Sequence, residues 1–149
     1  MIQKRILPPT YFVFFLVLMA VLHFLLPVAE VVPSPLWLLG SVPLALGIVL
    51  NLVADQAFKR YQTTVKPYEE SSTLITSGVF RLTRNPMYLG MVFILTGIAV
   101  LMGSLTPFVV IPFFVVLMNR VYITVEESML AQKFGENWEA YAAKVRRWI

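Results

Sequence analysis

The sequence predicts an all-α, polytopic membrane protein of about four transmembrane helices followed by a cytosolic, amphipathic C-terminal helical segment. Three observations carry that expectation. Hydrophobic residues fill 58% of the 149 positions and charged ones only 13%, so the apolar surface exceeds what one soluble core of this length can hide. The apolar residues gather into four stretches of near-spanning length. The basic residues cluster at alternate ends of those stretches, the pattern that orients membrane proteins.

The first stretch runs from Tyr11 to Ala29 and the second from Leu36 to Ala54, each close to the ~20 residues that cross a bilayer as a helix. Lys4 and Arg5 precede the first run as they would in a secretory signal, but the run is too long for one and no A-x-A site follows. A retained helix is expected. His23 stands alone among aliphatic residues, either as a hydrogen-bonded structural group or as a proton carrier. Gly40 and Gly47 lie seven residues apart on one helix, and Gly90 and Gly97 on another. Each pair falls on one face, where small residues let helix backbones approach closely. Asn51, Asp55 and Lys59 follow at intervals of four; they form an interfacial i,i+4 pair or border a polar site.

The third and fourth stretches, Met87 to Gly103 and Leu105 to about Ile123, are joined by the turn residues Gly103, Ser104, Thr106 and Pro107 and read as a tight hairpin. Their purely apolar cores are shorter. At ~1.5 Å per residue the hairpin barely crosses the hydrocarbon, so its cytosolic ends are expected to form a recess.

Basic residues lie at Lys4 and Arg5, from Lys59 to Arg84 and from Arg120 to Arg147, while the loops near Glu30–Pro35 and Gly103–Leu105 contain none. Both termini and the middle loop are therefore expected in the cytosol, as in a multi-pass protein of a prokaryotic inner membrane. A single membrane domain spans 1–149: two helices in 1–58, a cytosolic loop in 59–86, the hairpin in 87–125 and the C-terminal helix in 126–149. The net charge of +4 reflects topology and contact with lipid headgroups. No basic patch with interleaved aromatics suggests nucleic acid. With no cysteine and one histidine, no disulfide, thiolate chemistry or zinc cluster is expected.

Two blocks hold the polar residues of interest. In the first, Ser72 to Gly90, Gly78 permits a turn, Pro86 suits a first helical turn and Asn85 is placed to cap the amides behind it. Arg81 and Arg84 stand at the interface, where they hold headgroups or an anionic ligand group. In the second, Glu126 and Glu127 precede Met129, Leu130, Phe134, Trp138, Tyr141, Val145 and Trp148 at helical spacing, interrupted near Gly135. Taken alone, such a tail lies on the headgroups and its carboxylates complement a helix dipole.

From Thr73 to Ile149 the chain nevertheless resembles the isoprenylcysteine carboxyl methyltransferase and phospholipid methyltransferase group of integral membrane enzymes. That group's pattern is a Thr-x-Gly turn, Arg-His-Pro-x-Tyr-x-Gly, a helical hairpin, Glu-Glu, and a Phe-Gly-x-x-Tyr-x-x-Tyr tail ending in basic residues. Here it reads Thr76-Ser77-Gly78, Arg84-Asn85-Pro86-Met87-Tyr88-Leu89-Gly90, Glu126-Glu127, and Phe134-Gly135 through Trp138 and Tyr141 to Val145-Arg146-Arg147-Trp148-Ile149.

The resemblance implies S-adenosyl-L-methionine as cofactor and S-adenosyl-L-homocysteine as product. It places Thr73, Leu74, Ile75 and Phe80 along the nucleoside, Arg84, Asn85 and Tyr88 toward the methionine end, and Glu126 on the ribose or ammonium. A lipophilic acceptor would enter sideways from the bilayer and the cofactor from the cytosol. Glu127 is the candidate base for a protonated acceptor, with Arg120 beside it in the catalytic assignment. Arg120 and Tyr122 are assigned to the acceptor.

Two positions depart from the pattern. The histidine usual before the proline is Asn85, which hydrogen-bonds but does not transfer a proton near neutral pH. The arginine that prenylcysteine-type members carry four residues before the first glutamate is Tyr122, and Arg120 is offset from it by about 200° on a helix. A phospholipid amine, another lipophile or a thiol stays open as acceptor. A nicotinamide-dependent reductase of the sterol-reductase type would use Arg81, Arg84, Arg146 and Arg147 for an adenosine phosphate. A non-enzymatic scaffold would leave both polar blocks without a ligand.

Overall fold

Proline opens two of the helices: Pro8 begins α1 (Pro8–Leu25) and Pro86 begins α3 (Pro86–Met102), positions where the missing N–H would have had no helical partner. The computed structural model describes residues 6–64 and 66–149; Lys4 and Arg5, used above for orientation, lie outside them. A 3₁₀ turn, Leu36–Gly40, leads directly into α2 (Ser41–Arg60). The hairpin returns through α4 (Leu105–Met118). The chain is all-α and polytopic, an integral membrane protein. Phe14, Phe24 and Leu52 are among its exposed side chains, as suits helices whose solvent is lipid.

The hairpin's second arm does not stop where its apolar run ends. A π-helical turn, Asn119–Ile123, carries it into α5 (Thr124–Phe134), so one helical rod of 30 residues runs from Leu105 to Phe134. Across the wide turn Thr124 N donates to Asn119 O, and side chains add further bonds to the turn's carbonyls. Thr124 Oγ1 donates to Asn119 O at 2.7 Å and Tyr68 Oη to Val121 O at 2.7 Å. Gly135, at φ 48°, breaks the rod before α6 (Glu136–Lys144).

The two glycine pairs meet each other. A Cβ on Gly40 would lie 2.5 Å from Gly97 O, and one on Gly47 would lie 2.5 Å from Gly90 O, so α2 and α3 pack backbone to backbone. On the other side α1 meets α4 through Phe15 and Phe114, ring centroids 5.4 Å apart and edge to face. At the end away from the polar loop, Gly103 turns the hairpin with φ 74°. Its carbonyl accepts from Val31 N at 2.8 Å and Val32 N at 3.0 Å, while Leu105 N donates to Ala29 O at 2.9 Å. His23 Nδ1 and Ser104 Oγ lie 2.7 Å apart, the hydrogen bond of the first of the two roles open to that histidine.

Two local expectations need correction. Asn85 precedes α3 but makes no side-chain cap; its Nδ2 donates to Arg147 O at 3.0 Å, because the returning C-terminal tail offers a carbonyl there. The apolar stripe of the C-terminal segment also closes inward rather than resting on headgroups. Trp138 and Tyr141 are buried in a cluster with Ile75 and Phe80, leaving the polar loop roofed by α6. Tyr141 Oη donates to Phe80 O at 2.6 Å, and burial pushes its phenol up to about 12. At the end of α2, Asp55 and Lys59 form the i,i+4 pair at 2.6 Å. Asn51 turns to Gly47 O instead, at 2.9 Å.

Candidate active site

The helix lengths locate the site. From Pro86 to Met102, α3 rises about 24 Å, less than the ~30 Å of hydrocarbon, whereas the rod reaches Glu126 about 32 Å from Leu105. The start of α3 therefore lies low beside a rod that continues upward. Loop 61–85 and α6 wall the step, and a cavity of about 540 Å³ opens there.

Both sequence blocks reach it. Leu74, Ile75, Phe80, Arg84, Asn85 and Tyr88 line the cavity together with Glu126 and Glu127. Tyr88 Oη donates to Glu126 Oε1 at 2.7 Å. Thr73 is exposed and lies off the lining. Arg120 is exposed on the far side of the rod and lies off it too, while Tyr122 is fully buried behind the cavity. The opposite facing of Arg120 and Tyr122 is what their helical offset requires. Tyr122 stacks on Tyr88 with centroids 6.3 Å apart, between Tyr11 at 6.2 Å and Tyr68 at 5.8 Å. Its role in this arrangement is to hold the Tyr88 ring in place.

Glu127 is enclosed by arginines. Arg147 Nε lies 3.2 Å from each of its carboxylate oxygens, and Arg84 Nη2 lies 3.3 Å from Oε1. The Glu127 and Arg84 side chains are only 13% and 15% exposed, so this pairing is shielded from solvent. The guanidinium of Arg84 also sits 5.5 Å over the Trp138 ring, within cation–π reach. Its Nε is buried with no hydrogen-bond partner among the described residues.

Backbone bonds complete the closure. Arg84 N donates to Arg146 O at 3.0 Å, and Thr83 Oγ1 joins Asn85 in donating to Arg147 O, at 3.1 Å. Trp148 Nε1 reaches Asn119 Oδ1 at 3.2 Å, tying the tail to the π turn. At the polar mouth, Lys66 pairs with Glu69 at 3.2 Å and Lys133 with Glu70 at 3.4 Å. The Thr64 hydroxyl, and then Lys66, hold Glu69 below the usual carboxylate range.

Several lining residues escaped sequence reasoning. Leu7, Pro8 and Pro9 at the start of α1, with Met87 and Met91, form an apolar flank. Nothing local marks them, since any spanning helix can begin this way. Arg147 was legible only as part of a basic tail; its partner Glu127 lies 20 residues away. The cavity thus joins carboxylates, a guanidinium donor and aromatic walls to an apolar flank beside α1. It suits a ligand with both a zwitterionic end and a flat ring, next to a lipophilic one.

Comparison with known proteins shows the family. A sequence profile of the phospholipid methyltransferase family matches residues 36–137, which takes in the first block and the Glu126–Glu127 start of the second and stops short of Trp138. Two rice proteins, from Oryza sativa subsp. indica and subsp. japonica, are each described as a probable protein-S-isoprenylcysteine O-methyltransferase. Each is 36% identical over 110 residues, covering 71% of this chain and 56% of the relative. An uncharacterized protein of Haemophilus influenzae is 33% identical over 63 residues, 42% of this chain and 100% of its own length. The chain spans little more than half the length of the rice relatives it matches. No solved structure matches it.

Proposed function

The chain belongs to the phospholipid methyltransferase family, and from that premise we propose that it transfers a methyl group from S-adenosyl-L-methionine to a lipophilic acceptor at the cytosolic membrane face. The observation that carries the reading is the single cavity in which Glu126, Arg84 and the aromatic wall face an apolar flank at the start of α1.

The residues present fit the cofactor. The Arg84 guanidinium, which lines the cavity, offers a counter-charge to its carboxylate, Glu126 an acceptor for ribose hydroxyls or ammonium, and Ile75 and Phe80 an apolar slot for its base. Tyr88 holds the Glu126 carboxylate in orientation through their hydrogen bond. When bound, S-adenosyl-L-methionine supplies a methyl group already activated on a sulfonium. The protein's own contribution is to position the two reactants and exclude water. The apolar flank of Leu7, Pro8, Met87 and Met91 holds the acceptor's lipophilic part toward the bilayer.

Glu127, whose carboxylate is engaged by two guanidiniums, serves as the strut that fixes Arg84 rather than as a free base. An acceptor amine or thiol then loses its proton to Glu126 or to water at the cavity mouth. Arg120 has no part in this arrangement.

Calorimetric titration of detergent-purified protein with S-adenosylmethionine, S-adenosylhomocysteine and reduced nicotinamide dinucleotide tests the cofactor. Binding of the first two supports the reading, and binding of the nicotinamide alone overturns it. Transfer of a labelled methyl to a lipid extract and to a prenylated cysteine then identifies the acceptor class.

A further inference from the structure

The opposite end of the helices holds a second cavity, of about 400 Å³, lined by His23, Glu30, Trp37, Leu101, Met102 and Ser104 among others. It is built on a fixed frame. The α1–α2 loop is bonded to the hairpin turn through the Gly103 carbonyl and Ala29, and Glu30 forms a β-bridge with Ser104. None of these residues belongs to the cofactor cavity.

The polar groups here are few and unlike. In the described stretches 23–41 and 99–109, Glu30 is the one residue among Asp, Glu, Lys and Arg. Its exposed side chain has no ion pair among the described residues. Ser104 is buried and bonded to His23 Nδ1. When the serine hydroxyl donates, the neutral imidazole keeps its proton on Nε2 and is itself a donor. Trp37 is 37% exposed at the cavity rim, an aromatic face that attracts a cation.

Each alternative ligand class fails on one of these groups. A divalent metal needs several oxygen ligands, and one carboxylate is present. A plain anion is repelled by Glu30. A purely apolar molecule makes no use of the Glu30 carboxylate or of the imidazole Nε2–H. An acceptor for a cation beside a donor for an anion describes a zwitterion. Lipid is the available source, because the flanking Leu101 and Met102 belong to a membrane helix.

We propose that this second cavity binds a lipid headgroup carrying a phosphate and a primary ammonium, the ammonium on Glu30 against Trp37 and the phosphate on His23. At ~30 Å³ per displaced water the space admits such a headgroup with its first carbons.

The test is native mass spectrometry of the detergent-purified full chain after incubation with equimolar phosphatidylethanolamine, phosphatidylcholine and phosphatidylglycerol. Phosphatidylethanolamine should be retained over both others by about tenfold, the scale of one charge-assisted hydrogen bond. Glu30→Gln should erase that preference, and Trp37→Leu should weaken it, with S-adenosylhomocysteine binding at the other end unchanged as the control for folding. Equal retention of the three lipids overturns the proposal, as does a preference that survives Glu30→Gln. Soluble phosphoethanolamine, titrated in parallel, separates the sources. Competition with the lipid assigns the same chemistry to a free ligand as well, and absence of competition assigns it to the lipid alone.

Discussion

Arg147 and Glu127 meet in a bidentate pair, the arginine Nε 3.2 Å from both carboxylate oxygens, and that pair closes the C-terminal tail over the start of α3. The same carboxylate holds Arg84, so one side chain joins the tail, the α5 rod and the loop before α3. Arg147→Ala should lower the thermal midpoint in detergent by an amount corresponding to about 1–2 kcal/mol. A charged hydrogen bond is worth ~1.5–3 kcal/mol, and the partly exposed arginine takes the lower part of that range. Arg147→Lys should recover only part of the loss, since lysine cannot span both oxygens. An unchanged midpoint for the alanine variant would show that the tail is held by its backbone bonds alone.

Tyr88 and Glu126 form the other defining pair. Tyr88→Phe keeps the ring against Tyr122 and removes only the donor. Leaving a half-buried carboxylate short of one hydrogen bond costs ~1–3 kcal/mol, so S-adenosylhomocysteine affinity should fall by about tenfold or more. Glu126→Ala should abolish calorimetric binding while the helix content by circular dichroism stays constant. Wild-type affinity in both variants would remove the pair from the cofactor site.

Gly47 is a position where two effects oppose each other. Alanine favours a helix interior over glycine by ~1 kcal/mol, yet its Cβ would lie 2.5 Å from Gly90 O. The obstacle is backbone and cannot rotate away, so overpacking of ~1–3 kcal/mol should prevail. Gly47→Ala and Gly40→Ala should therefore both lower the thermal midpoint. A rise in either would mean that α2 and α3 separate without cost.

What the sequence made legible follows from how far apart the interacting residues lie. The glycine pairs announced a helix contact because spacing along one helix determines a face, and the partner pair repeats that spacing. Asp55 and Lys59 were readable for the same reason. The blocks around Arg84 and Glu126 were recognisable as patterns, and the hairpin between them brings both to one cavity. The roles of Glu127 and Arg120 were not readable, because the tail that neutralises Glu127 returns from Arg147 and the face of Arg120 depends on which side of the rod is buried. No residue type marks the π turn at Asn119–Ile123. Its carbonyls are completed by Thr124 and Tyr68, and the contact from Tyr68 is visible only in three dimensions.

Tyr141 supplies a prediction in pH. Its hydroxyl holds Phe80 O, and burial raises its phenol from 10.0 to about 12. A folded-state value above the unfolded one means the folded protein keeps the proton longer. The associated stability is complete below pH 10.0 and is lost as pH rises toward about 12. Near neutral pH, Tyr141→Phe should be less stable than wild type by about 1 kcal/mol, the net worth of one hydrogen bond. That gap should close as pH rises from 10.0 to about 12, because only the wild type has a phenol to ionise. Comparing the two proteins removes the lysine titrations they share. Trp138, whose ring centroid lies 5.8 Å from that of Tyr141, gives the fluorescence signal for unfolding of the roof. A gap that stays constant across this window would mean that the Tyr141 hydroxyl is open to solvent and does not fasten α6 over the cavity.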